Sequence, residues 1–111
     1  MDQPARTEIV LVLTTLDERA DAASFAGTLV TERLAACVNV LPAMRSIYRW
    51  KGSVESASEQ QLVIKTSSDR LEALTARLSE LHPYEVPEIL VVAVRDAAPN
   101  YRAWLTDAVS P

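Results

Sequence analysis

The sequence is poor in cysteine, glycine, histidine and basic residues, and each shortage excludes a class of protein. Its 111 residues include one cysteine, Cys37, one histidine, His82, and two glycines. A single cysteine forms no intrachain disulfide, which is typical of a reducing compartment. Two isolated glycines make neither a glycine-rich phosphate loop nor a low-complexity linker. Eleven Lys and Arg against fifteen Asp and Glu give a net charge of −4, which argues against a nucleic-acid partner.

Long hydrophobic runs are absent as well. The longest apolar stretch, residues 89–94, is far shorter than the roughly 20 residues that cross a bilayer. The N-terminus lacks the charged-then-apolar pattern of a secretion signal. We therefore expect a soluble cytoplasmic protein with no membrane partner. We expect residues 1–7 to be a flexible N-terminus and residues 8–109 to form a single domain with one core.

The hydrophobic spacing predicts strands and helices in the order β-α-β-β-α-β, followed by a terminal helix. Strands are expected at residues 9–13, 37–50, 54–66 and 88–94, and helices at about 18–34, about 69–81 and from 99 onward. This order is typical of a ferredoxin-like α+β sandwich, in which helices cover one face of a four-stranded sheet. The sequence therefore predicts a small α+β fold.

Several residues mark the expected boundaries of these elements. Asp17 is predicted to cap the first helix, and His82-Pro83 to end the second, because a residue before proline avoids helical angles. Pro42 predicts a bulge, bend or edge inside the second strand, since it cannot donate to a ladder. Lys51-Gly52-Ser53 predicts the reversal between the second and third strands. Together these two strands predict a hairpin arm longer than the usual strand of 3–10 residues.

In the first and last strands the odd-numbered and the even-numbered residues are both apolar, so both faces of these strands are expected to be buried. Two helices can cover only one face of the sheet. At roughly 25 cal/mol per Å² of apolar surface, leaving the other face wet forfeits several kcal/mol, and the arm has unpaired edges of its own. We expect closed self-association to cover this open face. The alternative is that the terminal helix folds over it.

Three segments carry a recognisable pattern. Residues 36–42 are Ala-Cys-Val-Asn-Val-Leu-Pro, residues 46–52 are Ser-Ile-Tyr-Arg-Trp-Lys-Gly, and residues 81–89 are Leu-His-Pro-Tyr-Glu-Val-Pro-Glu-Ile. Together with Asn100-Tyr101-x-x-Trp104-Leu105, they resemble the CutA family of divalent-cation-tolerance proteins over residues 9–109. The resemblance implies a ferredoxin-like homotrimer linked to tolerance of copper and other divalent metal ions. It implies no catalytic activity.

Cys37 and His82 match the positions of the metal ligands proposed in that family. Thiolate and imidazole suit copper or zinc, so the resemblance implies weak binding of Cu(II) or another divalent cation, with no cofactor required. Residues 14–16 include no cysteine where some bacterial relatives have one, which argues against a multi-thiolate site. Two alternatives stay open: Cys37 as a buried strand residue, and His82 as a helix C-terminal residue whose cationic form suits the dipole.

A second set of residues combines aromatic rings, charges of both signs and hydroxyl groups, and predicts a small-ligand cleft between subunits. Its members are Tyr48, Trp50, Lys65, Tyr84, Glu85 and Glu88. The alternative is interface packing, with the Tyr and Trp side chains as anchors. By analogy with PII-type signalling trimers of the same fold, the competing function is a signalling or scaffold trimer that binds a small anionic metabolite or a protein.

Other functions of this fold fit the sequence less well. RNA-recognition domains stack bases on aromatic residues of a central strand, and the corresponding residues 60–65 contain none. A hydrolase triad would depend on His82, which a proline follows, and no serine lies in a nucleophile-elbow motif. We therefore expect a protein that is not an enzyme.

Overall fold

The computed structural model describes residues 8–111, in which one antiparallel sheet packs with three helices. The elements are β1 (Ile9–Asp17), α1 (Ala22–Thr31), β2 (Cys37–Val40), β3 (Met44–Trp50), β4 (Ser53–Ser67), a 3-10 turn (Ser68–Arg70), α2 (Leu71–Leu81), β5 (Leu90–Ala93) and α3 (Pro99–Ala108). The predicted α+β class is confirmed. The N-terminal segment predicted to be flexible, residues 1–7, lies outside the described residues. None of the helices described has the length and apolar character that a bilayer span requires.

The sheet is organised around β4, a strand of 15 residues. β4 pairs with β1, β2 and β3, and the strand order is β2-β4-β1-β5 with β3 beyond β2 along β4. The predicted single strand over residues 37–50 is divided into β2 and β3 at residues 41–43. Pro42 lies in this break, where its missing N–H fits the end of a ladder. β3 and the outer half of β4 form the predicted arm, and the molecule measures 55 × 27 × 25 Å.

The arm reverses through Lys51 and Gly52, as predicted. Trp50 pairs directly with Ser53, so the loop has only two residues. Lys51 has φ 48° and Gly52 has φ 83°, which is the left-handed pair of a type I′ turn. Gly52 suits its position because glycine adopts positive φ without a Cβ penalty.

The main core lies between the sheet and the helices α1 and α2. Its fully buried members are aliphatic side chains from both layers: Val12, Leu29, Ile64, Leu74 and Leu78. Side chains of a strand alternate between faces, so the even-numbered residues of β1 and β4 face the helices. The odd-numbered residues of these strands line the open face.

Helix α1 is shorter than predicted, and its N-cap differs from the prediction. Asp21, and not Asp17, caps it by accepting a hydrogen bond from the Ser24 N–H at 3.0 Å. Asp17 instead ends β1 opposite Glu59, and its carboxylate binds Arg19 Nε at 3.0 Å. At the other end, Arg33 takes a left-handed conformation with φ 60° and ends the helix.

The open face is covered at one end only. Leu105 and Val109 of α3 are buried with Ile9 and Ala36, so the terminal helix does cover that end. β5 was expected to be buried on both faces, yet all four of its residues are exposed in the single chain. The reason is that β5 is an edge strand with β1 as its one neighbour. Leu90 and Val92, opposite Leu13 and Leu11, therefore leave an uncovered apolar patch.

Candidate functional site

A cleft of about 670 Å³ lies on the open face at the base of the arm. This volume is within the range of small-molecule sites, roughly 300–1,000 Å³. Its walls come from β1, β3, β4 and the segment that connects α2 to β5. The lining residues are Thr15, Asp17, Met44, Ser46, Ile47, Tyr48, Trp50, Ala57, Glu59, Gln61, Tyr84, Glu85, Val86 and Glu88.

Strand alternation and register create the walls of the cleft. In β3 four of the five lining residues recur at every second position, from Met44 through Tyr48 to Trp50, which is the spacing of one strand face. Register places Glu59 of β4 opposite both Asp17 and Met44. Side chains from three strands therefore point into one concavity.

Five of the six predicted cleft residues line this concavity: Tyr48, Trp50, Tyr84, Glu85 and Glu88. The sixth predicted residue, Lys65, does not line this cleft of the single chain. Lys65 lies further along β4, opposite Leu11 and Cys37, and the strand rise of about 3.3 Å per residue separates it from the cleft. Among the described lining residues four are acidic and none is basic. This charge disfavours an anionic metabolite as the ligand of this cleft.

The segment over the cleft is tied to the sheet by side-chain hydrogen bonds. Tyr84 Oη donates to Glu59 Oε2 at 2.7 Å, and Gln61 Nε2 donates to Glu88 Oε2 at 2.9 Å. Burial, and then the neighbouring Glu59 carboxylate, raise the pKa of Tyr84 well above its usual value, so its phenol stays protonated. Glu59 and Gln61 were not singled out from the sequence, because only the strand register shows that they face this segment.

His82 lies behind Tyr84, at the end of α2, and is 8% exposed. The β1–β5 ladder ends at Leu13, and beyond it His82 Nε2 lies 2.8 Å from the Thr15 carbonyl oxygen. Since a carbonyl only accepts, Nε2 carries the proton, and Nδ1 accepts from the Tyr84 N–H at 3.2 Å. Burial lowers the pKa of His82 and outweighs the opposing effects of the Thr15 carbonyl and Glu59. The acceptor role of Nδ1 and the lowered pKa of His82 favour a neutral imidazole over the helix-end cation that was the alternative.

Cys37 is remote from His82 within the chain. Cys37 pairs with Lys65 of β4, which in turn pairs with Leu11 of β1. His82, in contrast, contacts Thr15 of β1. Four residues along a strand span roughly 13 Å, and one ion needs a sulfur and a nitrogen within about 2.3 Å and 2.1 Å of it. Within residues 8–111 no three His, Cys, Asp or Glu side chains are grouped closely enough to hold a metal ion. A single chain thus does not bring its two predicted metal ligands together.

The three sequence segments at residues 36–42, 46–52 and 81–89 belong to a known family pattern. Residues 10–108 match the family described as CutA1 divalent ion tolerance protein. The chain belongs to the CutA1 family. The resemblance of the three sequence segments is thereby confirmed.

Relatives and solved structures agree with this CutA1 membership. A divalent-cation tolerance protein CutA of Yersinia pestis is 41% identical over 96 residues, which are 86% of this chain and 81% of that protein. The divalent cation tolerance protein of Thermus thermophilus superposes with a TM-score of 0.85 at 40% identity, covering 90% of this chain and 97% of that one. A CutA from Xylella fastidiosa gives a TM-score of 0.88 at 39% identity, with 93% and 99% covered.

The buried His82 of this CutA1 chain predicts a loss of stability in mild acid. Its folded pKa lies below the ordinary value of about 6.5, so the unfolded chain takes up the proton first as the pH falls. The free energy of unfolding is therefore expected to be constant above about pH 6.5 and to fall below it. Denaturant titrations between pH 7.5 and 5, at one chain concentration, measure this.

A variant isolates the effect, because His82 is the only histidine in the sequence. His82→Gln is expected to flatten the pH dependence in that window. The lowered pKa values of Asp17 and Glu32 act at lower pH, since these carboxylates lose their stabilising arginine contacts only when protonated. Equal slopes in the parent protein and His82→Gln would contradict the assignment of a neutral buried imidazole.

Proposed function

We propose that the protein acts in the cytoplasm as a homotrimer of ferredoxin-like subunits in the response to divalent cations, binding copper weakly through His82 and without catalysing a reaction. The family membership supports the divalent-cation role, since the matching relatives are named for divalent-cation tolerance. The observation that carries the His82 assignment is its neutral imidazole. Neutral imidazole is the form that coordinates copper and zinc, and it needs no proton release at neutral pH.

His82 Nδ1 is the nitrogen that we assign to the metal. Its lone pair is engaged by the Tyr84 N–H at 3.2 Å, which is longer than the 2.8 Å contact between Nε2 and the Thr15 oxygen. A metal at Nδ1 displaces the longer contact and keeps the shorter one, which then orients the ring. Losing the Tyr84 hydrogen bond costs about 1 kcal/mol. This cost, and the absence of a further grouped ligand within residues 8–111, support weak binding.

Cys37 belongs to this proposal only through assembly. Because its own chain holds it far from His82, the thiol either binds an ion separately or meets a ligand of another subunit. The uncovered apolar patch around Leu90 and Val92 supports an assembly, since leaving several aliphatic side chains wet is costly. The number three rests on the likeness of the sequence to CutA proteins.

A calorimetric titration with Cu(II) at pH 7, in a buffer that does not bind metals, tests the ligand assignment. His82→Gln is expected to weaken copper binding at least about tenfold, because it removes the one imidazole. Cys37→Ser is expected to weaken it less, and the double variant to abolish it. Glu80→Gln, an exposed carboxylate on α2, is the control and leaves the affinity unchanged. Unaltered affinity in the double variant would overturn the assignment.

A further inference from the structure

The charged side chains of the cleft indicate the sign of the charge that a ligand would have. Among the described residues that line it, the charged side chains are all carboxylates: Asp17, Glu59, Glu85 and Glu88. The protein as a whole also has a net charge of −4. A concave site lined by charges of one sign concentrates ligands of the opposite sign. The cleft therefore favours a cation.

Glu59 is the carboxylate in the cleft that most needs a partner. It is 8% exposed, and in the part of the chain that the structure describes it forms no ion pair. Among the described residues, the hydrogen bond to its carboxylate comes from Tyr84 to Oε2, which leaves Oε1 able to accept another. Asp17, in contrast, is already paired with Arg19. Since a buried carboxylate without a counter-charge is costly, a cation in the cleft gains its main contact at Glu59.

The other walls of the cleft suit an organic cation better than a metal ion. Tyr48 and Trp50 are 43% and 39% exposed, and they offer aromatic faces that attract ammonium groups. The Trp50 ring already has an ammonium near it, because Lys51 Nζ lies 5.8 Å from its centroid. Met44 and Val86 add apolar surface, from which a bare metal ion gains nothing. The carboxylates of residues 8–111 also do not converge into a metal-binding group.

We propose that this cleft binds a small aliphatic amine, namely an organic cation with a primary ammonium group on a short alkyl chain. The ammonium donates to Glu59 at the inner wall, and the alkyl chain lies against the apolar residues. The aromatic faces of Tyr48 and Trp50 and the exposed Glu85 accommodate a second positive charge toward the mouth. A short α,ω-diamine supplies both positive charges and the alkyl chain between them. This site does not include His82, although Tyr84 contacts both His82 and Glu59.

Titration of the assembled full-length protein with putrescine (1,4-diaminobutane) tests the proposal. Succinate is the matched four-carbon dianion, and MgCl₂ and CuCl₂ are the metal arms. The chain has two tryptophans, so a Trp104→Phe background makes Trp50 the sole fluorescent indole in the cleft. We expect saturable binding of putrescine, observed both by calorimetry and by Trp50 fluorescence, and no binding of succinate.

Two matched pairs of variants locate the site. Glu59→Gln keeps an acceptor for Tyr84 while removing the charge, and should weaken putrescine binding at least about tenfold. Glu72→Gln makes the same charge change on exposed α2 and should alter it less than about twofold. On the arm, Tyr48→Leu should weaken binding several-fold, whereas Tyr101→Leu, at a tyrosine of similar exposure on α3, should not.

Three results would overturn the proposal. The first is no saturable putrescine binding. The second is an equal loss in Glu59→Gln and Glu72→Gln, which would indicate attraction to the overall negative charge. The third is binding of succinate or a metal ion that depends on Glu59. Because Tyr48 is exposed on the arm, Tyr48→Leu keeps the test informative even if Glu59→Gln fails to fold. Copper binding that persists while putrescine fails would leave the metal proposal intact.

Discussion

Val92→Glu is expected to dissociate the proposed trimer into single chains, whereas Val30→Glu leaves it assembled. The two valines are 43% and 41% exposed in the single chain, so their substitutions are alike in size, charge and initial burial. Val92 lies on β5 opposite Leu11 of the open face, and Val30 lies on α1 in the opposite layer. If the uncovered apolar patch around Leu90 and Val92 is the contact between subunits, only Val92→Glu buries a carboxylate there.

The expected effect of Val92→Glu is large because the proposed closed trimer would repeat it three times. Burial of an unpaired carboxylate costs several kcal/mol per ion, and each 1.4 kcal/mol is a factor of ten in the association constant. Size-exclusion chromatography with light scattering at micromolar chain concentration measures the outcome, and circular dichroism checks that the chains remain folded. Retention of the trimer by Val92→Glu, or its loss in Val30→Glu, would place the subunit contact elsewhere.

Thr66→Val is expected to destabilise the fold, whereas Thr14→Val stabilises it. Both threonines are fully buried on the helix-facing side of the sheet. Thr66 Oγ1 donates to the Leu34 carbonyl at 2.8 Å, so its loss leaves a buried carbonyl unsatisfied at a cost of about 1–3 kcal/mol. Thr14 Oγ1 has no hydrogen-bond partner among the described residues. Replacing that hydroxyl by a methyl group of similar shape removes an unpaired polar atom and gains about 1 kcal/mol.

Guanidinium unfolding at a fixed chain concentration measures both effects, since the stability of an assembly depends on concentration. The two variants change the same atom type in the same layer, so a general intolerance of valine would move both transitions downward. The expected result is transitions displaced in opposite directions from that of the parent protein. A lower midpoint for Thr14→Val would mean that its hydroxyl is satisfied in solution.

The sequence predicted the elements whose signals are local. The Lys51-Gly52 turn, the end of α2 at His82-Pro83 and the break at Pro42 follow from backbone limits that one or two residues impose. The cap of α1 was misassigned because Asp17 and Asp21 are equally suitable by composition. The β1–β4 ladder extends to Asp17, so Asp17 is still part of the strand and Asp21 is left as the cap of α1. That extension depends on a strand more than 40 positions away.

The aromatic residues predicted for a cleft between subunits line the cleft of the single chain, whereas its buried carboxylate Glu59 was not predicted. Tyr48, Trp50 and Tyr84 stand out because aromatic residues are scarce in this sequence. Glu59 looks like any charged residue of an exposed arm, until the register places it against Asp17 and beneath Tyr84. The position of Lys65 outside the cleft of the single chain has the same origin, since its distance from the cleft depends on where β4 pairs with β1. The sequence contains the side chains, but long-range pairing decides which of them meet.

The shared strand β4 restricts how the arm can change in length. Its inner half is held in register by β1 and β2, and its outer half by β3. Adding one residue to each side of the hairpin at its base would turn Tyr48 and Trp50 to the opposite face, because side chains alternate with a period of two. Lengthening or shortening that preserves the cleft therefore proceeds by two residues on each strand. Homologues with longer or shorter arms should therefore differ by a multiple of two residues on each strand of the arm.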